Sequence, residues 1–169
     1  DVGGWPTEIV LDEARRAFYV LCHYYGKVRV YDADSLARTR DISLGVTPGR
    51  SDAISEMVMD HAAGRLYAVI PENATLTMLD LVSGNAPVSI TVQGFSTGRA
   101  GAGQIQMAVN ESRGLLYALL YHERILNVYD GRTLELVTSV QLDTLVGHAT
   151  ENTIVLKLIT YDWVNERLF

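Results

Sequence analysis

The chain has 169 residues, 48% of them hydrophobic and 20% charged, with a formal net charge of −6. That is enough apolar material for one compact domain with a core, and too much for a disordered chain. The acidic balance argues against a nucleic-acid or anionic-membrane surface, no apolar run reaches the ~18 residues of a membrane span, and the single Cys22 excludes an internal disulfide.

In chain order, residues 7–12, 17–22, 27–32 and 38–44 are rich in Val, Ile, Leu and aromatics and are separated by turn residues, which predicts four short strands. Apolar runs of five or six, broken every few residues by Asp, Asn, Gly or Pro, are too short for helices. The block "EIVLDEARRAFYVLCHYYGKVRVYD" at 8–32 then returns without a gap as "EMVMDHAAGRLYAVIPENATLTMLD" at 56–80 and "QMAVNESRGLLYALLYHERILNVYD" at 106–130. A fourth copy opens at Ile159 as "ITYDWVNERLF".

The anchors of the repeat are Asp12, Asp60, Asn110 and Asp162, spaced by 48, 50 and 52 residues. Each is followed seven residues later by an aromatic: Tyr19, Tyr67, Tyr117 and Phe169. A second acid, Asp32, Asp80 or Asp130, comes twenty residues after the first. Each anchor is expected to start a tight turn by accepting a hydrogen bond from the backbone N–H two residues on. Gly64 and Gly114, four residues past their anchors, suit a positive φ; Arg16 and Glu166 stand there in the other copies.

The second strands, "AFYVLC", "RLYAVI" and "LLYALL", are apolar on both faces, so their sheets must be covered on both sides. Four-stranded antiparallel units of about 40–50 residues, each sandwiched between neighbours, are blades of a β-propeller. The expected fold is therefore all-β. It is a propeller arc with blade 1 at about 6–45, blade 2 at about 54–94, blade 3 at about 104–143 and a partial blade 4 at about 154–169. Because rings close with roughly 4–8 blades, the expectation is that the remainder of its own propeller, or another subunit, completes the ring. The alternative is a small four-bladed ring.

The stretch "FYVLCHYYGKVRVYDADSLARTRDISLG" (18–45) resembles the YVTN-type propeller repeat. It is similar, more loosely, to quinoprotein and amine-dehydrogenase propellers and to WD40 repeats. "VYD" at 30–32 and 128–130 stands where WD40 blades carry Trp-Asp, while the Gly-His of those blades occurs once, at Gly147-His148. The YVTN resemblance implies an exported, periplasmic or cell-surface protein that often serves as a binding scaffold. It implies no catalytic residue, because the motif contains none.

In a propeller the loops from the fourth strand to the next blade share a face with the loops between strands two and three. The first set is 45–53, 94–104 and 143–153; the second is "HYYG" (23–26), "PENA" (71–74) and "YHER" (121–124). Glycine followed by a basic residue recurs in the long loops, at Gly49-Arg50, Gly98-Arg99 and Gly147-His148. Arg50, Arg99 and His148 are thus candidates for a small anionic ligand, against solvated loop cations as the plain alternative. His23 and His122 fall on the same face; with His148 they make three histidines at irregular spacing, better read as loop residues than as a metal site. Of the short loops, "HYYG" differs most from its counterparts and is singled out as a site candidate.

The remaining signals read as structural. Cys22 aligns with Ile70 and Leu120 and is expected in the core. Asp32, Asp80 and Asp130 recur in every blade and are expected to cap the turns that follow; Tyr19, Tyr67 and Tyr117 are expected to pack between blades. Asn73-Ala74-Thr75 and Asn110-Glu111-Ser112 match the glycosylation sequon, the second inside a turn. No nucleophile-elbow motif occurs, and no catalytic residue or cofactor is assigned. The leading reading is a non-enzymatic scaffold for a protein, carbohydrate or small anionic ligand. The alternatives are a propeller subunit of a periplasmic oxidoreductase or lactonase-like enzyme, and a structural unit of a surface layer or filament.

Overall fold

The computed structural model describes residues 4–45, 56–71, 74–96, 105–142, 161–162 and 167–168. Three four-stranded antiparallel meanders follow one another along the chain. The first holds β1 (Pro6–Asp12), β2 (Ala17–Cys22), β3 (Lys27–Asp32) and β4 (Arg38–Ser43). The second holds β5 (Glu56–Asp60), β6 (Arg65–Ile70), β7 (Thr75–Asp80) and β8 (Val88–Thr91), and the third β9 (Ile105–Asn110), β10 (Leu115–Leu120), β11 (Ile125–Asp130) and β12 (Leu136–Gln141). A short hairpin of β13 (Tyr161–Asp162) and β14 (Arg167–Leu168) opens the fourth repeat, with Asp162 paired to Arg167.

The first three repeats use the same turn chemistry. The anchor carboxylate or amide receives the backbone N–H three residues on, not two as expected: Arg15 to Asp12 at 3.1 Å, Ala63 to Asp60 at 2.7 Å, Arg113 to Asn110 at 3.1 Å. Four residues separate the paired ends Asp12 and Ala17, so the side chain spans the first turn of the loop and meets the N–H at its far side. The turn closes on a left-handed residue, Arg16, Gly64 or Gly114, at φ 49°, 64° and 63°. Arg16 tolerates that strain beside its exposed ion pair with Asp34.

The acids at the ends of the third strands cap the next turn as expected. Asp32 Oδ1 accepts from the N–H groups of Asp34 and Ser35, Asp80 Oδ1 from Val82 and Ser83, and Asp130 Oδ1 from Arg132 and Thr133. Those backbone donors, led by the ones from Ser35, Ser83 and Thr133, hold all three carboxyls below the usual aspartate range.

The first strands β1, β5 and β9 lie side by side, and the fourth strands β4, β8 and β12 form the exposed periphery. Blade 2 is buried on both faces because its strands alternate between two clusters. Leu66, Ala68, Ile70 and Leu79 pack against Tyr19, Leu21, Val28 and Val30 of blade 1. Tyr67, Val69, Leu76 and Met78 pack against Met107, Leu116, Ala118 and Leu120 of blade 3. Each such Leu or Val contributes about 1.5–3 kcal/mol by leaving water, which explains the lack of polar alternation in these strands.

Polar ties cross the seam between blades 2 and 3. The Tyr67 hydroxyl donates to the Gly131 carbonyl at 2.7 Å, and Glu111 accepts from the backbone of His61 and Ala62. Tyr19 and Tyr67 are buried; Tyr117 is half-buried. Burial raises the Tyr19 phenol and pushes that of Tyr67 up to about 12, so both stay neutral and Tyr67 keeps the proton it donates. Cys22 is fully buried, its thiol raised by desolvation, as a core position requires.

Candidate functional site

The strand register fixes which loops share a face. Lys27 pairs with Ser43, Thr75 with Thr91, and Ile125 with Gln141. Each connection between the second and third strands therefore lies beside the exit of the fourth. Recurrent hydrogen bonds tie the two: Leu44 N–H to the Gly26 carbonyl, Val92 to Ala74, and Leu142 to Arg124, at 2.9, 2.7 and 2.8 Å. The start of β1 joins the same end, where Pro6 pairs with Cys22.

Blade 1 carries the most developed feature on this face. His23–Tyr25 form one turn of 3-10 helix, closed by Gly26 at φ 56°. The N–H groups of His23 and Tyr24 donate to the carbonyls of Trp5 and Gly4, at 3.1 and 3.2 Å. These bonds hold the segment entering β1 against the turn and bring three exposed aromatics together: Trp5, Tyr24 and Tyr25, at 59%, 42% and 46% exposure. Trp5 meets Tyr24 edge-on at a 6.4 Å ring separation and 73°, and Tyr24 meets Tyr25 at 5.6 Å and 67°. With Gly4 they line an open cleft of about 480 Å³.

The backbone is bent to make this cleft. Trp5 has a positive φ of 51°, a conformation that costs a non-glycine residue about 1–2 kcal/mol. Gly4, at φ 71°, has no alternative, since a Cβ there would collide with the ring of Tyr25. On β3, Lys27 Nζ lies 5.5 Å and the Arg29 guanidinium 5.4 Å from the Tyr25 ring centroid, in cation–π geometry. Asp41 opposes them, 3.2 Å from Lys27 and 3.8 Å from Arg29, with Arg38 at 4.0 Å as a third cation.

The histidines and basic residues named from sequence fare differently. His23 is buried within the 3-10 turn, not displayed on the rim, because its ring packs under the turn whose tyrosines face outward. His122 is exposed and stacks edge-on with Tyr121 at 5.0 Å, two blades away, so the structure does not bring these histidines together. His61 sits at the opposite end of the sheets. Arg50, Arg99 and His148 lie outside the described residues, as does Asn73. Among the described residues no group of three metal-ligating side chains forms. Asn110, in the second sequon, is buried and holds the turn.

Two features escaped the sequence reading. Trp5 precedes the first recognised repeat residue, and nothing in the periodicity connects it to Tyr24. The other is Glu56, whose aligned partners are Glu8 and Gln106, a recurrence visible at the head of the three copies. Glu56 Oε2 accepts from the Met107 N–H at 2.8 Å, across the seam of blades 2 and 3. Burial raises its carboxyl to about 7, against the lowering effect of that hydrogen bond, with the negative charge of Glu8 adding to the rise. A carboxyl that titrates near neutrality can exchange protons at working pH.

No protein-family model matches the sequence, and no curated protein matches it. Solved structures do match in shape. They include the Pseudomonas aeruginosa periplasmic gluconolactonase, at a TM-score of 0.62 and 14% identity over 82% of this chain and 40% of that one. AztD from Citrobacter koseri matches at 0.61 and 16% over 82% and 35%, and the WD40 repeats of RRP9 at 0.59 and 14% over 80% and 38%. The fold is that of a β-propeller arc. The chain spans 35–40% of the length of these structures, and identities this low speak for the fold alone.

Proposed function

We propose that this chain is a propeller binding scaffold of the YVTN-repeat type that engages its ligand through the loop-rich face. The observation that carries the reading is the cluster of Trp5, Tyr24 and Tyr25, three large aromatics displayed to solvent around a cleft and held by strained backbone. Exposed Trp and Tyr beside Arg are the residue types that dominate binding energy at interfaces. A periplasmic or cell-surface location belongs to the same reading, supported by the periplasmic protein among the similar folds.

A second reading, a lactonase-like enzyme, is favoured by one observation: Glu56, a carboxyl raised to about 7 beside Glu8.

The test is a binding screen of the chain and of its Trp5→Ala/Tyr24→Ala variant, against a glycan panel and purified envelope proteins. The scaffold reading expects at least one ligand held by the parent and lost about tenfold or more by the variant. A variant that keeps every ligand of the parent removes it. Turnover that Glu56→Gln abolishes would install the enzyme reading in its place.

A further inference from the structure

We propose that the Trp5–Tyr24–Tyr25 cleft takes a carboxylated sugar residue of the uronic-acid kind, a ligand class that rests on the scaffold reading above. The size comes first: about 480 Å³ falls within the ~300–1,000 Å³ of small-molecule sites. A flat protein partner would want a wider patch than a cleft of this size supplies.

Ring geometry narrows the chemistry. The aromatics meet at 73° and 67°, so they form corners, not a parallel slot. A planar base or aromatic ligand fits between parallel rings. A puckered saccharide instead turns polarised C–H groups outward on more than one side, and can set them against two rings at right angles. The electron-rich ring faces attract such hydrogens as they attract cations.

Charge supplies the carboxylate. The chain as a whole is −6, yet Lys27, Arg29 and Arg38 gather around Asp41 beside the cleft. Lys27 Nζ is 5.5 Å from the centroid of Tyr25, itself a wall of the cleft. An ammonium has three donors, and Asp41 takes one. A carboxylate projecting past the edge of Tyr25 meets that ammonium in a charge-assisted contact. An anion drawn to this patch also meets less repulsion than elsewhere on an acidic protein.

The experiment is calorimetric titration of the chain with trigalacturonic acid and with its fully methyl-esterified form, followed by Trp fluorescence. The expected result is acid bound at least about tenfold tighter than ester, with Trp5→Ala and Tyr24→Ala each weakening the acid about tenfold or more. Lys27→Gln is expected to weaken the acid about threefold to tenfold and to leave the ester unchanged. Unfolding midpoints of the variants serve as the check on folding, and the exposed Tyr24 gives a second route if Trp5→Ala misfolds. Equal binding of acid and ester overturns the proposal, as does no binding of either. If a protein ligand sensitive to Trp5→Ala is found instead, the saccharide is overturned while the scaffold stands; if nothing bound is sensitive to these variants, both fall.

Discussion

The preceding-blade face of blade 2 and the outer face of blade 1 are built on the same repeat positions and solve different problems. At the centre, Met57, Met59, Leu66 and Ala68 of blade 2 answer Ile9, Leu11, Phe18 and Val20 of blade 1. The first set lies beneath a neighbouring blade; in the second, Ile9 and Leu11 face solvent. At the periphery, blade 2 buries Thr77 with its hydroxyl 2.8 Å from Ser89, and blade 3 buries Asn127 opposite Ser139. Blade 1 places Arg29 against Asp41 at the equivalent pair, with Tyr31 stacked on Phe18 at 4.9 Å and 3°. Where another blade lies on top, desolvation favours neutral hydroxyl and amide pairs; where none does, charges stay partly hydrated and large side chains cover the sheet themselves.

The sharpest way to break this comparison is a charge at equivalent positions. Met57→Asp puts a carboxylate in the blade 1–blade 2 seam and is expected to cost more than about 3 kcal/mol, whereas Ile9→Asp should stay below about 1 kcal/mol. Chemical denaturation of both variants measures the difference. Equal losses would mean that the outer face of blade 1 is covered in solution.

A pH series sharpens it next. Glu56 has a folded pKa of about 7, above its unfolded value near 4.5. Between these values the folded chain binds more protons than the unfolded one, so stability falls as pH rises through this window, by up to about 3 kcal/mol. Glu56→Gln, which keeps an acceptor for Met107, should flatten that limb, and Glu8→Gln should shrink it. Asp32, Asp80 and Asp130 act with the opposite sign: their carboxyls are lowered, so the stability they lend is present above the usual aspartate range and is lost as pH falls through it. Urea midpoints from pH 3 to 8 separate the two limbs.

Tyr67→Phe removes the hydroxyl that ties blade 2 to Gly131 of blade 3 and leaves a carbonyl without its donor. A loss of about 1–2 kcal/mol is expected in thermal or urea unfolding, while a change within error would make the seam purely apolar. The smallest effect should come from the turns. Gly114→Ala meets no atom within 4 Å, so its expected cost of about 1 kcal/mol is backbone strain alone. Arg16→Gly should recover a similar amount, less whatever the exposed Asp34 pair contributes.

The turns also show why some features were legible and others were not. Anchors such as Asp12 and Asp60 announce themselves because a short side chain closes the loop that contains it. The other left-handed positions recur as Gly26, Ala74 and Arg124, and as Leu36, Gly84 and Leu134, and residue type alone does not reveal them. There the cross-strand pairing dictates φ and the side chain accepts it. "HYYG" was visible as the odd loop among three, and its tyrosines do reach the cleft. Its histidine does not, because one turn of 3-10 helix points successive side chains in different directions.

The sequence by itself determined the repeat, the strand count per blade and the need to cover both sheet faces, since these follow from local turn chemistry and from apolar residues at successive strand positions. Tertiary structure decided the rest: that Trp5 joins Tyr24 and Tyr25, that His23 turns inward, and that Glu56 is raised toward neutrality. Those outcomes depend on which segments meet across a sheet or a seam, and on how much water the meeting leaves behind. Neither quantity is written in any local stretch of the chain.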